Sequence, residues 1–139
     1  ALQASSLVGR SVIAQTDKAV VDTSKDMKGT VNLTSSSTST SVGIYDKDDK
    51  LVRTIELGTQ KAGSIDFTWD GLNDDGEVAA AGTYTFKATA SIDGKATAMT
   101  TNLPASVTSV TMGSNGSEMT LNLAGLGCVA LSKIQSIGI

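Results

Sequence analysis

The residues with the strongest claim to chemistry are four carboxylates in one polar stretch. Asp70, Asp74, Asp75 and Glu77 cluster around the glycine turns of Thr68–Tyr84, TWDGLNDDGEVAAAGTY. A calcium loop needs several oxygens at fixed spacing, in the pattern D-x-[DN]-x-[DN]-G. The run from Asp70 to Gly76 meets that pattern only loosely: its glycine is misplaced relative to Asp70, and both flanks read as strands. The plainer reading is mechanical, with the Asp70 and Asn73 side chains accepting backbone N–H groups to fix the turn. A paired-carboxylate glycosidase is the other chemical option, but no aromatic-rich stretch supplies a sugar cleft. Histidine is absent, which removes the Ser-His-Asp arrangement and His-based metal sites. Cys128 is the single cysteine and lies among apolar residues. It reads as a quiet packed thiol, and paired-cysteine zinc motifs and intrachain disulfides are excluded. No glycine-rich loop with Lys and Ser/Thr supports nucleotide binding. The sequence therefore predicts a non-enzyme, with no catalytic residues, no cofactor and no metal site.

The elements flanking the carboxylates are strands. Ile65, Phe67 and Trp69 alternate with polar residues before the linker, and Tyr84, Phe86, Ala88 and Ala90 share one parity after it. Four of the five aromatic residues lie in or beside this stretch, marking it as the centre of a small core. Trp69 and Tyr84 are expected as a core pair. Gly71, Gly76 and Gly82 are expected to supply backbone conformations or close approaches rather than ligand contacts.

The remaining chain repeats this alternation. Val31 and Leu33, Val42 and Ile44, and the row Leu51, Arg53, Ile55 and Leu57 each mark a strand, with the Arg53 stem expected to snorkel outward. The cluster Asp46-Lys47-Asp48-Asp49-Lys50 reads as a hairpin tip, and Asp93-Gly94 as a two-residue turn. The Ser/Thr run 35–41 reads as an exposed turn, or as an edge strand offered to another subunit. About six short strands with turn-rich joins point to an antiparallel sandwich over 22–98. The pattern restarts after Pro104, and Asn115-Gly116 marks another tight turn. The first strand, near Val8–Ala14, has no neighbouring hairpin partner and can pair with strands beyond residue 105. That arrangement would make the central block an insertion in a small barrel built from both chain ends. The final residues suit one short helical or 3₁₀ turn closing the small barrel, and the first seven suit the tail of an upstream helix or linker.

With 139 residues, 40% hydrophobic and a net charge of −3, the chain has core material but no basic stripe. Nucleic-acid binding loses its electrostatic support. No stretch has the length of a membrane-spanning helix. Without an initiator Met or a signal layout at its start, the chain reads as cut from something longer.

Trp69-Asp70-Gly71, Asp74-Asp75-Gly76 and Ala81-Gly82-Thr83-Tyr84-Thr85-Phe86 together resemble the signature of an immunoglobulin-like domain found in flagellar hook-assembly scaffold proteins, the hook cap. The same motif occurs in modules of assorted surface proteins. The flanks Ala4–Val12 and Cys128–Ile137 also resemble the hook-cap family's folded region, so the resemblance spans nearly the whole chain. It implies a fibronectin type III/immunoglobulin-like domain, 22–98, inserted in a small Tudor-like barrel formed by 1–21 plus 99–139. It further implies a protein exported through the flagellar channel that caps the growing hook and guides hook subunits into place. Its partners would be those subunits and further copies of itself, held mainly through a region upstream of this sequence, with no nucleic acid and no membrane. Trp69, Gly71, Gly76, Gly82 and Tyr84 would be scaffold residues; Asp46, Asp48 and Lys50 are the candidate partner contacts. The competing reading is an adhesive or carbohydrate-binding β-sandwich module of a bacterial surface protein.

Overall fold

Alternating side chains and glycine turns fold the chain almost entirely into antiparallel strands. The computed structural model describes residues 7–115 and 117–137. Its strands are β1 (Ser11–Gln15), β2 (Lys18–Val21), β3 (Met27–Leu33), β4 (Ser37–Tyr45), β5 (Leu51–Gln60), β6 (Gly63–Trp69), β7 (Gly82–Ile92), β8 (Lys95–Thr111), β9 (Thr120–Leu123), β10 (Gly127–Ala130) and β11 (Ile134–Ile137). A 3₁₀ turn, Leu131–Lys133, joins β10 to β11. The expected upstream segment and the glycine of the Asn115-Gly116 turn lie outside the described residues.

All eleven strands belong to one hydrogen-bonded network, with β10-β9-β8-β7-β4-β5 as its main path. The expected sandwich inserted in a closed Tudor-like barrel is therefore corrected. A barrel requires its first and last strands to pair. Among the described residues β10 pairs only with β9 and β11 only with β1, so these terminal strands end on open edges. Pro104 does not break the strand, because β8 runs through it for 17 residues.

Register explains how β8 tolerates a proline. The carbonyl of Thr101 accepts from Thr16 N–H, and Val107 exchanges bonds with Gly9 and Arg10. Odd-numbered residues of β8 therefore face the β1 side. Even-numbered Pro104 faces the opposite edge, in the interval where β3 has stopped pairing at Asn102 and β9 has not yet begun at Val107. The missing N–H of proline costs no ladder bond there.

The β1–β2 segment fills the fork where β7 and β8 diverge. Pairing between β7 and β8 ends at Ala88 and Met99, whereas β2 pairs with the first part of β7 and β1 with the later part of β8. The crossover occurs between two residues. Thr16 bonds to Thr101 through N–H and carbonyl, and the carbonyl of Asp17 accepts from Phe86 N–H at 2.7 Å.

Two groups of buried side chains hold the network. The larger unites Val31 from β3, Val42 and Ile44 from β4, Phe67 and Trp69 from β6, and Tyr84 and Phe86 from β7. Trp69 meets Tyr84 edge-on at 4.9 Å between ring centroids and Phe86 at 6.2 Å, orientations that suit ring quadrupoles. The smaller group contains Leu7, Val12, Ala14, Val107, Leu121 and Leu123.

The Ser/Thr run 35–41 is only partly an exposed turn: Ser35, Ser36, Thr38 and Ser39 are exposed. Most of it forms the start of β4, which lies between β5 and β7, and Ser37 and Thr40 are buried. The Ser37 hydroxyl donates to the carbonyl of Ser39. Thr40 Oγ1 is buried with no partner among the described residues. Thr40→Val keeps the branched shape and removes the unmet hydroxyl, so it is expected to raise stability by about 1 kcal/mol. A urea midpoint at or below that of the parent contradicts this. Cys128 also departs from the sequence reading: it is exposed, because the short β10 leaves its side chain uncovered.

Candidate functional site

The polar linker after Trp69 docks across the outer edge of β5 rather than looping freely. Asp70 Oδ1 accepts from Leu72 N–H at 3.0 Å and from Arg53 Nη1 at 3.1 Å. The carbonyl of Leu72 accepts from both Trp69 Nε1 and Arg53 Nη1. Asp74 then borrows the place of a strand: its N–H donates to Val52 O and its carboxylate accepts from Thr54 N–H. Asn73 Oδ1 accepts from the N–H groups of Asp75 and Glu77, closing the second turn.

This wiring is that of a built turn. The Asp70 and Asp74 carboxylates are directed at Arg53 and at backbone N–H groups, and no three acidic, His or Cys side chains converge among the described residues. Arg53 was visible in the sequence only as a charge within an apolar row. Its position beside the linker gives it two acceptors, Asp70 Oδ1 and Leu72 O, and an ion pair with Asp74 at 3.9 Å, a role that depends on contacts 17 to 21 residues away. The row itself shifts as well. Val52, Ile55 and Leu57 pack against the core, while Leu51 is 52% exposed, because bulges interrupt the β4–β5 register.

Glycines and hydroxyls seat the linker from below. Gly71 has φ +80, and a Cβ there would lie 2.2 Å from the backbone oxygen of Thr23. Thr23 is buried and donates its hydroxyl to Ala79 O. Tyr84 donates its hydroxyl to Ala80 O, the arrangement of a tyrosine corner at the head of a long strand. Burial, and then the charge of Asp46, push the Tyr84 hydroxyl above its ordinary pKa, keeping it a donor. Gly76 and Gly82 also have positive φ, but a Cβ at either would meet open space.

Opposite the linker stands the β4–β5 hairpin tip. Asp46 builds it, its Oδ1 accepting from the N–H groups of Asp48 and Lys50. The side chains of Asp48 and Lys50 are exposed. Tip and linker enclose an open groove of about 680 Å³ whose lining includes Leu51, Val78 and the run Ala79–Ala81. The structure thus brings Asp46, Asp48 and Lys50 to one wall of the groove and Gly82 and Tyr84 to its lining; Trp69, Gly71 and Gly76 do not line it. The sequence singled out neither Val78 nor Leu51 as a surface feature. An apolar residue inside an otherwise polar linker was the available signal at Val78.

Comparison with known proteins gives this geometry a family. Residues 16–94 match the model of the FlgD Ig-like domain. A crystal structure of FlgD from P. aeruginosa is 51% identical, with a TM-score of 0.86, covering 93% of this chain and 97% of that one. FlgD from Xanthomonas campestris, whose crystal structure is described in terms of hook capping essential for flagellar assembly, is 32% identical, with a TM-score of 0.75, covering 96% and 95%. The basal-body rod modification protein FlgD of Salmonella typhimurium is 39% identical over 94 residues, 68% of this chain and 40% of that protein. The Escherichia coli protein of the same name is 31% identical, covering 98% of this chain and 61% of its own length. The chain thus spans about 40–61% of the length of these curated relatives. On the match across 16–94 and the near-complete correspondence with the P. aeruginosa structure, the chain belongs to the FlgD family.

Proposed function

We propose that this chain is the folded part of a hook-capping scaffold: a non-enzymatic body that sits at the growing hook tip and guides hook subunits into place. The observation that carries this reading is the 51% identity to P. aeruginosa FlgD over almost its whole solved length. The side chains fit such a role. The Asp70 and Asp74 carboxylates serve the fold, and the exposed charges of Asp48 and Lys50 stand on the hairpin tip that Asp46 builds. The protein works outside the cell on the flagellum, reached by export through the flagellar channel. Self-association in the cap belongs mainly to the part of the relatives that this chain does not span. Within the chain we propose two units, 22–98 and 1–21 plus 99–139; the smaller buried group lies wholly in the second unit, while Ala19, Val21 and Leu103 of that unit join the larger group, and β8 ties the two together.

Asp46, Asp48 and Lys50 mark the proposed contact wall. Asp46 is needed for the turn, so the informative changes are at the other two. In a cell that depends on the full-length protein, Asp48→Lys with Lys50→Glu is expected to leave export and folding intact and to reduce the number of completed hooks. Hook counts by electron microscopy, with immunoblots of exported protein, give the readout. Normal hook numbers from a normally exported variant would remove this wall from the mechanism.

A further inference from the structure

The groove between hairpin tip and linker has three properties that define an occupant. Its first property is exposed apolar surface: Val78 is 69% exposed and Leu51 is 52% exposed, and both line the same groove. Its second is unused backbone. The carbonyls of Ala79 and Ala80 accept from the Thr23 and Tyr84 hydroxyls, but among the described residues nothing accepts from the N–H groups of Ala80 and Ala81. These two residues are exposed, outside any strand, and carry only methyl side chains, so another backbone can approach closely. Its third is charge. The tip 46–50 and the linker 70–77 hold seven of the chain's fourteen carboxylates, while the tip and Arg53 hold three of its eleven cations. That end of the molecule carries −4 when the whole chain carries −3.

We infer that this groove is a docking site for an extended segment of a partner protein in which apolar residues alternate with Lys or Arg. One set of side chains would cover Leu51 and Val78. The segment's carbonyls would accept from Ala80 and Ala81 N–H, as in strand addition to an exposed edge. Its cations would face the Asp48 and Asp75 carboxylates, neither of which is engaged by a side-chain hydrogen bond among the described residues. The charge imbalance would draw a basic segment in and make the association salt-sensitive. The inference rests on the scaffold reading only for the identity of the partner; the recognition chemistry stands on the groove.

The test uses fluorescence anisotropy with a labelled peptide of alternating Lys and Val, and a second peptide of alternating Glu and Val. The 139-residue chain is expected to bind the first saturably and not the second, with affinity falling at least about tenfold between roughly 50 and 500 mM salt. Val78→Lys is expected to weaken binding at least about tenfold. Met112→Lys makes the same charge change at a site that is 65% exposed and outside the groove, and is expected to leave binding near the parent's. Unchanged urea midpoints in both variants exclude unfolding as the cause. Equal binding of the two peptides, no binding of either, or equal losses in the two variants would overturn the inference. If intact hook subunits bind the chain while Val78→Lys has no effect on them, the groove assignment fails and the scaffold role stands. If the Lys/Val peptide binds as described and hook subunits do not, the groove stands and the scaffold role fails.

Discussion

Trp69→Ala is expected to lower the free energy of unfolding by about 3–5 kcal/mol, the range for truncating a large buried aromatic. Trp69 has no exposed surface and contacts two rings, Tyr84 and Phe86, from β7. Its loss leaves a cavity that β6 and β7 cannot easily close, because each is held in register by its own ladder partners. The indole N–H also donates to Leu72 O at 2.9 Å, so the same change loosens the root of the linker. Arg53 continues to hold that carbonyl, which limits the second effect. Since Trp69 is the only tryptophan, unfolding should be followed by circular dichroism in urea. A midpoint equal to the parent's contradicts the assignment of Trp69 to the centre of the core.

Gly71→Ala is expected to cost about 3 kcal/mol, for two reasons that add. At φ +80 a side chain is strained, and the new Cβ would stand 2.2 Å from Thr23 O, on a backbone that cannot swing aside. Gly76 provides the internal comparison. Its φ is +81, yet nothing lies within 4 Å of its Cβ position, so Gly76→Ala is expected to lose only about 1 kcal/mol from backbone strain. The difference between the two variants measures how tightly the linker sits on the β2–β3 connection. Equal losses would mean that the linker lifts away from Thr23 at little cost.

Local features were well exposed by sequence. Asp93 and Gly94 have φ of 51° and 78° at the β7–β8 hairpin, as a two-residue turn demands. Val31, Val42, Ile44, Phe67 and Phe86 are buried by simple alternation. What alternation does not encode is which strand lies beside which. Pro104 looked like a break because only the register of β1, β3 and β9 shows that its missing N–H faces an unpaired interval. The barrel expectation failed for a related reason. Short terminal strands announce pairing, but closure depends on β10 meeting β11, and the 3₁₀ turn at Leu131–Lys133 leads the chain from one to the other without joining them.

The candidate site divides in the same way. Turn chemistry at Asp46, Asp70 and Asn73 follows from side chains that bond to nearby N–H groups. The groove depends instead on the tip and the linker meeting across β5, and that meeting depends on Arg53 and Asp74. Arg53 and Asp70 are partly exposed, so their ion pair alone contributes little. The geometry comes from the shared carbonyl of Leu72 and from the bonds Asp74 makes to Val52 and Thr54.

The proposed function has this chain hold hook subunits and perform no reaction on them. Sedimentation of the purified 139-residue chain with monomeric hook subunits, at low and at high salt, tests it most directly. The expected result is a reversible complex that weakens as salt rises and leaves both proteins covalently unchanged. Two components that sediment independently at every salt concentration and every attainable protein concentration would contradict it.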